Sequence, residues 1–111
     1  MKRFDDRGYP PDVTEVAADP HRRLVVKILV ESGQDPIEFE SLVERLLAKE
    51  RTALENPSGS KEQLRVHLYH IHLPKMNAAN LIDWDQRSKM IRFNPSRSVE
   101  AAVHDLLEAF Y

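Results

Sequence analysis

Between residues 20 and 94 the chain changes its apolar period once, and that change constrains the fold more than any other feature. Three successive segments place apolar residues at helical spacing; two four-residue β-type runs, LIDW and MIRF, then flank the polar stretch DQRSK. In the first segment Asp19 supplies a capping carboxylate and Pro20 takes the first helical position, where no amide partner is needed. Leu24, Val25, Ile28 and Leu29 follow, and SGQDP closes a helix expected over 20–32. Phe39, Leu42, Val43, Leu46 and Leu47 form the stripe of a second helix, 38–51, and ALENPSGS reads as a loop. Ser60 and Gln63 make a capping box that opens a third helix. The β-type runs predict a hairpin with a basic tip. NPSRSVEAAVHDLLEAFY, capped by Ser98 or Asn94, carries Val99, Ala102, Val103, Leu106 and Phe110 on one stripe and predicts a C-terminal helix.

Three short helices followed by a two-stranded ribbon is the order of a winged helix-turn-helix, in which the third helix enters the major groove and the hairpin lies against the backbone. The expected fold class is therefore mainly α with a small β-hairpin. With 111 residues, 41% of them apolar, one modest core is available. The expected organisation is an amino-terminal arm over 1–18, extended or flexible, a folded unit over 19–94 and a terminal helix over 95–111. Without cysteine, disulfides and thiolate metal sites are excluded. The opening MKRFDDRGYPPD lacks the apolar stretch of a secretory signal, and LVVKILV is too short to cross a bilayer, so a cytoplasmic location is expected.

The formal net charge is −2, but its distribution is uneven. Residues 1–60 carry nine Lys and Arg against twelve Asp and Glu; residues 61–97 carry seven against three; residues 98–111 carry three acids and no Lys or Arg. A local basic patch of this kind can bind phosphate although the chain as a whole is slightly acidic.

HLYHIHLPKM, residues 67–76, places three histidines within six positions. At 100 degrees per residue, His67 and His70 lie about 60 degrees apart and His72 about 160 degrees beyond His70. Only two can face one ligand, whereas a zinc site wants three or four converging donors. No metal or cofactor is expected, and no small-molecule ligand. Catalysis is not expected either: no glycine-flanked serine elbow occurs, and Gly8, Gly33 and Gly59 form no phosphate loop.

On the third helix Val66, Tyr69, Leu73 and Met76 share the expected core face, with Leu64, Leu68 and Ile71 as a second apolar line. Pro74 removes an amide donor inside this helix and predicts a bend. Because such a helix reads bases mostly with its amino-terminal half, Lys61, Gln63, Arg65 and His67 are the groove candidates, with His70 exposed or near phosphate. Arg87 and Lys89 at the hairpin tip and Arg92 on its second strand are expected backbone contacts, with Arg22 and Arg23 as further phosphate candidates.

The segment LYHIHLPKMNAANLIDWDQRSKMIRF resembles winged helix-turn-helix domains of archaea, especially a haloarchaeal group, and DPHRRLVVKILVESGQDPIEFESLVERLLAKE resembles that group's first two helices, so the likeness spans about 19–94. More loosely, His72, Leu73, Met76, Ala79, Asn80 and Leu81 are similar to the helix end and turn of arsenic-repressor-like regulators. Asn80 stands where glycine is usual, and asparagine tolerates the left-handed conformation such a turn needs. That class's metal-binding cysteines are missing, so its metal sensing does not carry over. The resemblance implies a DNA-binding fold used in transcriptional regulation.

The expected function is thus a homodimeric regulator that binds double-stranded DNA, with Val103, Leu106, Leu107, Phe110 and Tyr111 forming the dimer contact. The alternative is a winged helix that binds protein and not DNA, suggested by the acidic flanks and by the apolar residues on the third helix. A basic strip joining Lys61, Arg65, Arg87 and Lys89 favours the first; a broken strip favours the second. Histidine-based metal or pH sensing is a weaker third reading.

Overall fold

The computed structural model describes residues 11–33, 35–53 and 59–110. It is mainly helical with a small three-stranded antiparallel sheet. Helix α2 (Pro20–Ser32) starts as its sequence dictates: the Asp19 carboxylate accepts the His21 amide at 2.7 Å and Pro20 occupies the first turn. It stops at Gly33, whose φ of +72 is natural for a residue without a β-carbon. Helix α3 (Phe39–Ala53) packs on α2 and buries Phe39, Leu42, Val43 and Leu46.

Three features depart from the expectations. Part of the expected arm is helical: α1 (Pro11–Ala17) inserts Val13 and Val16 into the core, so only residues 1–10 of that arm lie outside the description. The hairpin of β2 (Ile82–Asp85) and β3 (Met90–Phe93) gains a third strand, β1 (Ile37–Glu38), in the order β1-β3-β2. Ile37 stands opposite Ile91 and Trp84 also faces Ile91, so a fully buried isoleucine sits at the centre of the sheet. Two residues are too short a run to show a period, which is why β1 was not legible as a strand.

The third departure concerns the helix. Ser60 caps α4 (Lys61–His67) through the Gln63 amide, as the capping box requires. The helix then widens into a π turn over Leu68–His72, closed by Leu73 N–H donating to Leu68 O, before α5 (Leu73–Ala78). A π turn adds one residue to its loop, and here it comes immediately before Pro74, in the first turn of α5, where a missing amide costs little. The expected bend is thus replaced by a wide turn. It also shifts the phase of the apolar stripe. Leu64, Leu68, Leu73 and Met76 are buried, with a five-residue step across the π turn, whereas Val66 and Ile71 are 46% and 47% exposed. Extending the 3.6-residue period back from Leu73 and Met76 through an unseen π turn therefore assigned Val66 to the core and Leu64 and Leu68 to a second line.

The end of α5 follows the expectation for Asn80. Its φ is +64; its amide donates to Asn77 O and the Leu81 amide to Met76 O, the paired bonds of a Schellman cap. Helix α6 (Arg97–Phe110) follows the hairpin. The Ser96 carbonyl accepts from the Glu100 amide, so the chain enters this helix at Ser96 and not at Ser98 or Asn94. Val99, Ala102 and Val103 join the core.

Candidate nucleic-acid interface

Phe39 at the start of α3, Tyr69 in the π turn and Trp84 on β2 pack ring to ring, with centroid separations of 6.0, 5.7 and 5.7 Å. This triad fixes the hairpin beside the helix. Lys89, in left-handed conformation at the end of the hairpin loop, lays its Nζ 5.9 Å from the Tyr69 ring centroid. The loop itself is tied by Asp85, whose carboxylate accepts from the Ser88 hydroxyl and the Arg87 amide. Those two bonds hold its pKa below the usual aspartate value. Arg87, Lys89 and Arg92 are all exposed; Arg92 stands across from Asp83 on the neighbouring strand.

The side of α4 turned away from the core presents Glu62, Gln63, Val66 and His67, continued by His70 and Ile71 of the π turn; all six are exposed. Gln63, Val66 and His67 stand at the i, i+3, i+4 spacing of neighbours on one helix face. Lys61 and Arg65 flank this face but are engaged. Lys61 Nζ contacts the Glu44 carboxylate. Arg65 donates from Nε to Glu40 Oε2 at 2.9 Å and from Nη1 to Glu62 Oε1 at 2.8 Å. The Arg65 hydrogen bond lowers the Glu40 pKa, and the positive charges of Arg65, Lys61 and Lys89 add to that direction. An acid therefore sits at the point where three candidate phosphate contacts converge, and the expected basic strip is interrupted there. The two groove candidates Lys61 and Arg65 face the start of α3, and the outward positions fall to Gln63, Val66, His67 and His70.

Arg22 is not a surface contact. It is 7% exposed, donating from Nε to Val16 O at 3.0 Å and from Nη2 to Glu15 O at 3.1 Å, with Nη1 3.2 Å from His72 Nδ1. A guanidinium near a helix start looks exposed in sequence, but α1 covers it, and α1 lies in the stretch expected to be an arm. Arg23 is half-buried, donating to Ala17 O at 2.6 Å. His72 is packed and hydrogen-bonded, as expected. Its ring stacks on His21 at 6.1 Å, and burial first, then Arg22, His21 and His67, push its pKa down to about 4 against the opposing effect of Asp19. Beyond His21 lies Glu50, fully buried, with Oε2 3.5 Å from His21 Nε2. Sequence reading missed this cluster of Asp19, His21, Arg22, Glu50 and His72; the only signal for it was Glu50, an acid one turn beyond Leu46 and Leu47 of the apolar stripe. Among the described residues no group of three potential ligands is placed to hold a metal ion.

At the other end, Val103 is a correction: it is 3% exposed and belongs to the chain's own core, so it is not free for a second subunit. Leu106 and Leu107 are half-buried and line, with Val13, Val16, Val26 and Leu81, a small apolar cleft. The Phe110 side chain and Tyr111 lie outside the described residues. No helix among the described residues is long and apolar enough to cross a membrane.

A family model described as a domain of unknown function, DUF7344, matches residues 14–92, from α1 to the last strand. The chain belongs to that family. A search of curated proteins and a search of solved structures found no match.

Proposed function

We propose that the chain is a winged-helix regulator that docks on duplex DNA as a homodimer, with α4 and its π turn in the major groove and the β2–β3 hairpin against the backbone. The observation that carries this reading is the Phe39–Tyr69–Trp84 triad. It holds an outward line of hydrogen-bonding and aliphatic side chains (Gln63, Val66, His67, His70) in fixed relation to a hairpin bearing Arg87, Lys89 and Arg92. The order helix, strand, helix, helix, hairpin and the sheet order β1-β3-β2 agree with a winged helix. Helix α6 would supply the dimer contact through Leu106 and Leu107, beside the apolar cleft. Two such helices related by a two-fold axis would address half-sites about one DNA turn apart (~34 Å) or a multiple of it.

The test is binding to a mixed duplex pool across a salt series. Each phosphate contact contributes about −0.9 to the slope of log affinity against log salt. With Lys61 and Arg65 engaged by carboxylates, a shallow slope of about −2 to −4 per subunit is expected. It should weaken further in Arg87→Ala and Lys89→Ala. Absence of binding at the lowest salt rejects the proposal.

A second reading, a module that binds protein, is the one favoured by the interruption of the expected basic strip, where Lys61 and Arg65 are paired with carboxylates. Glu40, Glu44 and Glu62 surround the helix start, and Val66 and Ile71 form an aliphatic pair on its exposed side. That reading gains if duplex binding fails while Val66→Asp releases a co-purifying protein.

A further inference from the structure

We infer that the outward face of α4 and the π turn reads A·T base pairs in the major groove, an inference that rests on the duplex-docking function proposed above. Guanine is most often recognised by a free arginine or lysine reaching its O6 and N7. On this helix the one arginine is held at Nε by Glu40 and at Nη1 by Glu62, and Lys61 is held by Glu44. Glu62, which could accept from cytosine N4, is occupied by the same Arg65. The side chains that could select G·C pairs are therefore drawn into ion pairs within the protein.

The side chains left facing outward suit the other pair. Glutamine bonds adenine through N6 and N7 in bidentate fashion, and an aliphatic side chain is matched by the thymine C5-methyl group, which is displayed only in the major groove. Gln63 and Val66 are three residues apart, hence neighbours with β-carbons roughly 5–6 Å from one another. Ile71 stands five residues beyond Val66, about one π-turn later, so the widened turn brings a second aliphatic side chain toward the same side. Neither Val66 nor Ile71 is needed by the core, which is filled on this helix by Leu64, Leu68, Leu73 and Met76. Gln63 currently lies back over the preceding loop, its Oε1 2.8 Å from where a β-carbon on Gly59 would stand. Because Gln63 is exposed, its amide can swing outward on the fast time scale of surface rotamers.

The experiment uses the full chain. A random-duplex pool is enriched for bound sequences, and the selected site is remade with each thymine replaced in turn by uracil, which lacks only the methyl group. The expected result is an A·T-rich half-site core, a loss of roughly three- to fivefold at one or two of the uracil positions, and abolition of that thymine preference in Val66→Ala. Gln63→Ala should relax the choice of an adjacent adenine by roughly fivefold or more. Val66→Ala is a surface change and should keep the wild-type melting temperature, so loss of preference would not reflect unfolding. Selection of G·C-rich sites, or indifference to uracil while duplex binding persists, overturns this inference and leaves the docking function standing. Failure to bind any duplex overturns both.

Discussion

Arg65 on α4 donates to Glu40 at the start of α3, 25 residues earlier, at 2.9 Å, and Glu40 is also the acid toward which Lys61 and Lys89 direct their charge. Glu40 thus joins Glu44 and Glu62 in neutralising the side of the helix that the sequence presents as its most basic. Glu40→Gln keeps the shape and removes the charge. It is expected to raise duplex affinity several-fold at low salt and to steepen the salt slope by about one, for the Arg65 it releases. The pair is exposed, so the melting temperature should hardly move. An unchanged slope would mean that Arg65 does not face phosphate even when released from Glu40.

The π turn makes a prediction opposite to that of a regular helix. Leu68 is fully buried and Val66 nearly half exposed. Leu68→Ala should cost about 2–5 kcal/mol of unfolding free energy, and Val66→Ala within about 0.5 kcal/mol. Chemical denaturation of the two variants checks this; the reverse order would restore the uninterrupted helical phase and remove Val66 from the outward face.

His72 sets an acid limit on stability. Its folded pKa of about 4 lies below the ordinary 6.5, so the unfolded chain takes up this proton first as pH falls. The stabilisation is whole above pH 6.5 and is lost progressively between 6.5 and about 4, on the order of 2 kcal/mol once solvent screening is allowed for. Asp19 titrates lower. Burial raises its pKa, but the His21 amide, His72 and Arg22 together outweigh burial and leave it below 3.8, so its contribution disappears only beneath that value. His72→Gln, which retains an acceptor for Arg22, should flatten the stability profile between pH 6.5 and 4 and leave the lower limb in place. A profile unaltered by the substitution would contradict the assignment.

Asn80 tests the cap that turns the chain from helix to hairpin. With φ at +64, Asn80→Gly should be close to neutral, while the β-branched Asn80→Val should cost about 1–2 kcal/mol. Thermal unfolding of both variants distinguishes the left-handed cap from an ordinary turn, in which valine would be tolerated.

The caps and stripes that could be read from sequence were those with local causes. Asp19 with Pro20, Ser60 with Gln63, and Asn80 each act within a few residues, and each is found in its expected role. The three helices and the hairpin follow from their own periods. What escaped depends on distant partners. Arg22 is buried because α1 and His72, 50 residues away, enclose it. Lys61 and Arg65 are engaged because α3 brings Glu44 and Glu40 to them, 17 and 25 residues back along the chain. The π turn leaves no mark in composition, and it alone exchanges the places of Val66 and Leu68. Of the groove candidates on this helix, Gln63 and His67 therefore lie on its outward side, and Lys61 and Arg65 lie against α3.

The central claim is that the outward line of α4 and the π turn meets DNA together with the hairpin. Following backbone amide resonances of the full chain while a short duplex carrying a selected site is added tests it most directly. The account predicts shifts clustered at residues 62–71 and 86–92, with α1 and the buried positions of α6 unmoved. Shifts confined to other surfaces, or none at low salt, would contradict it.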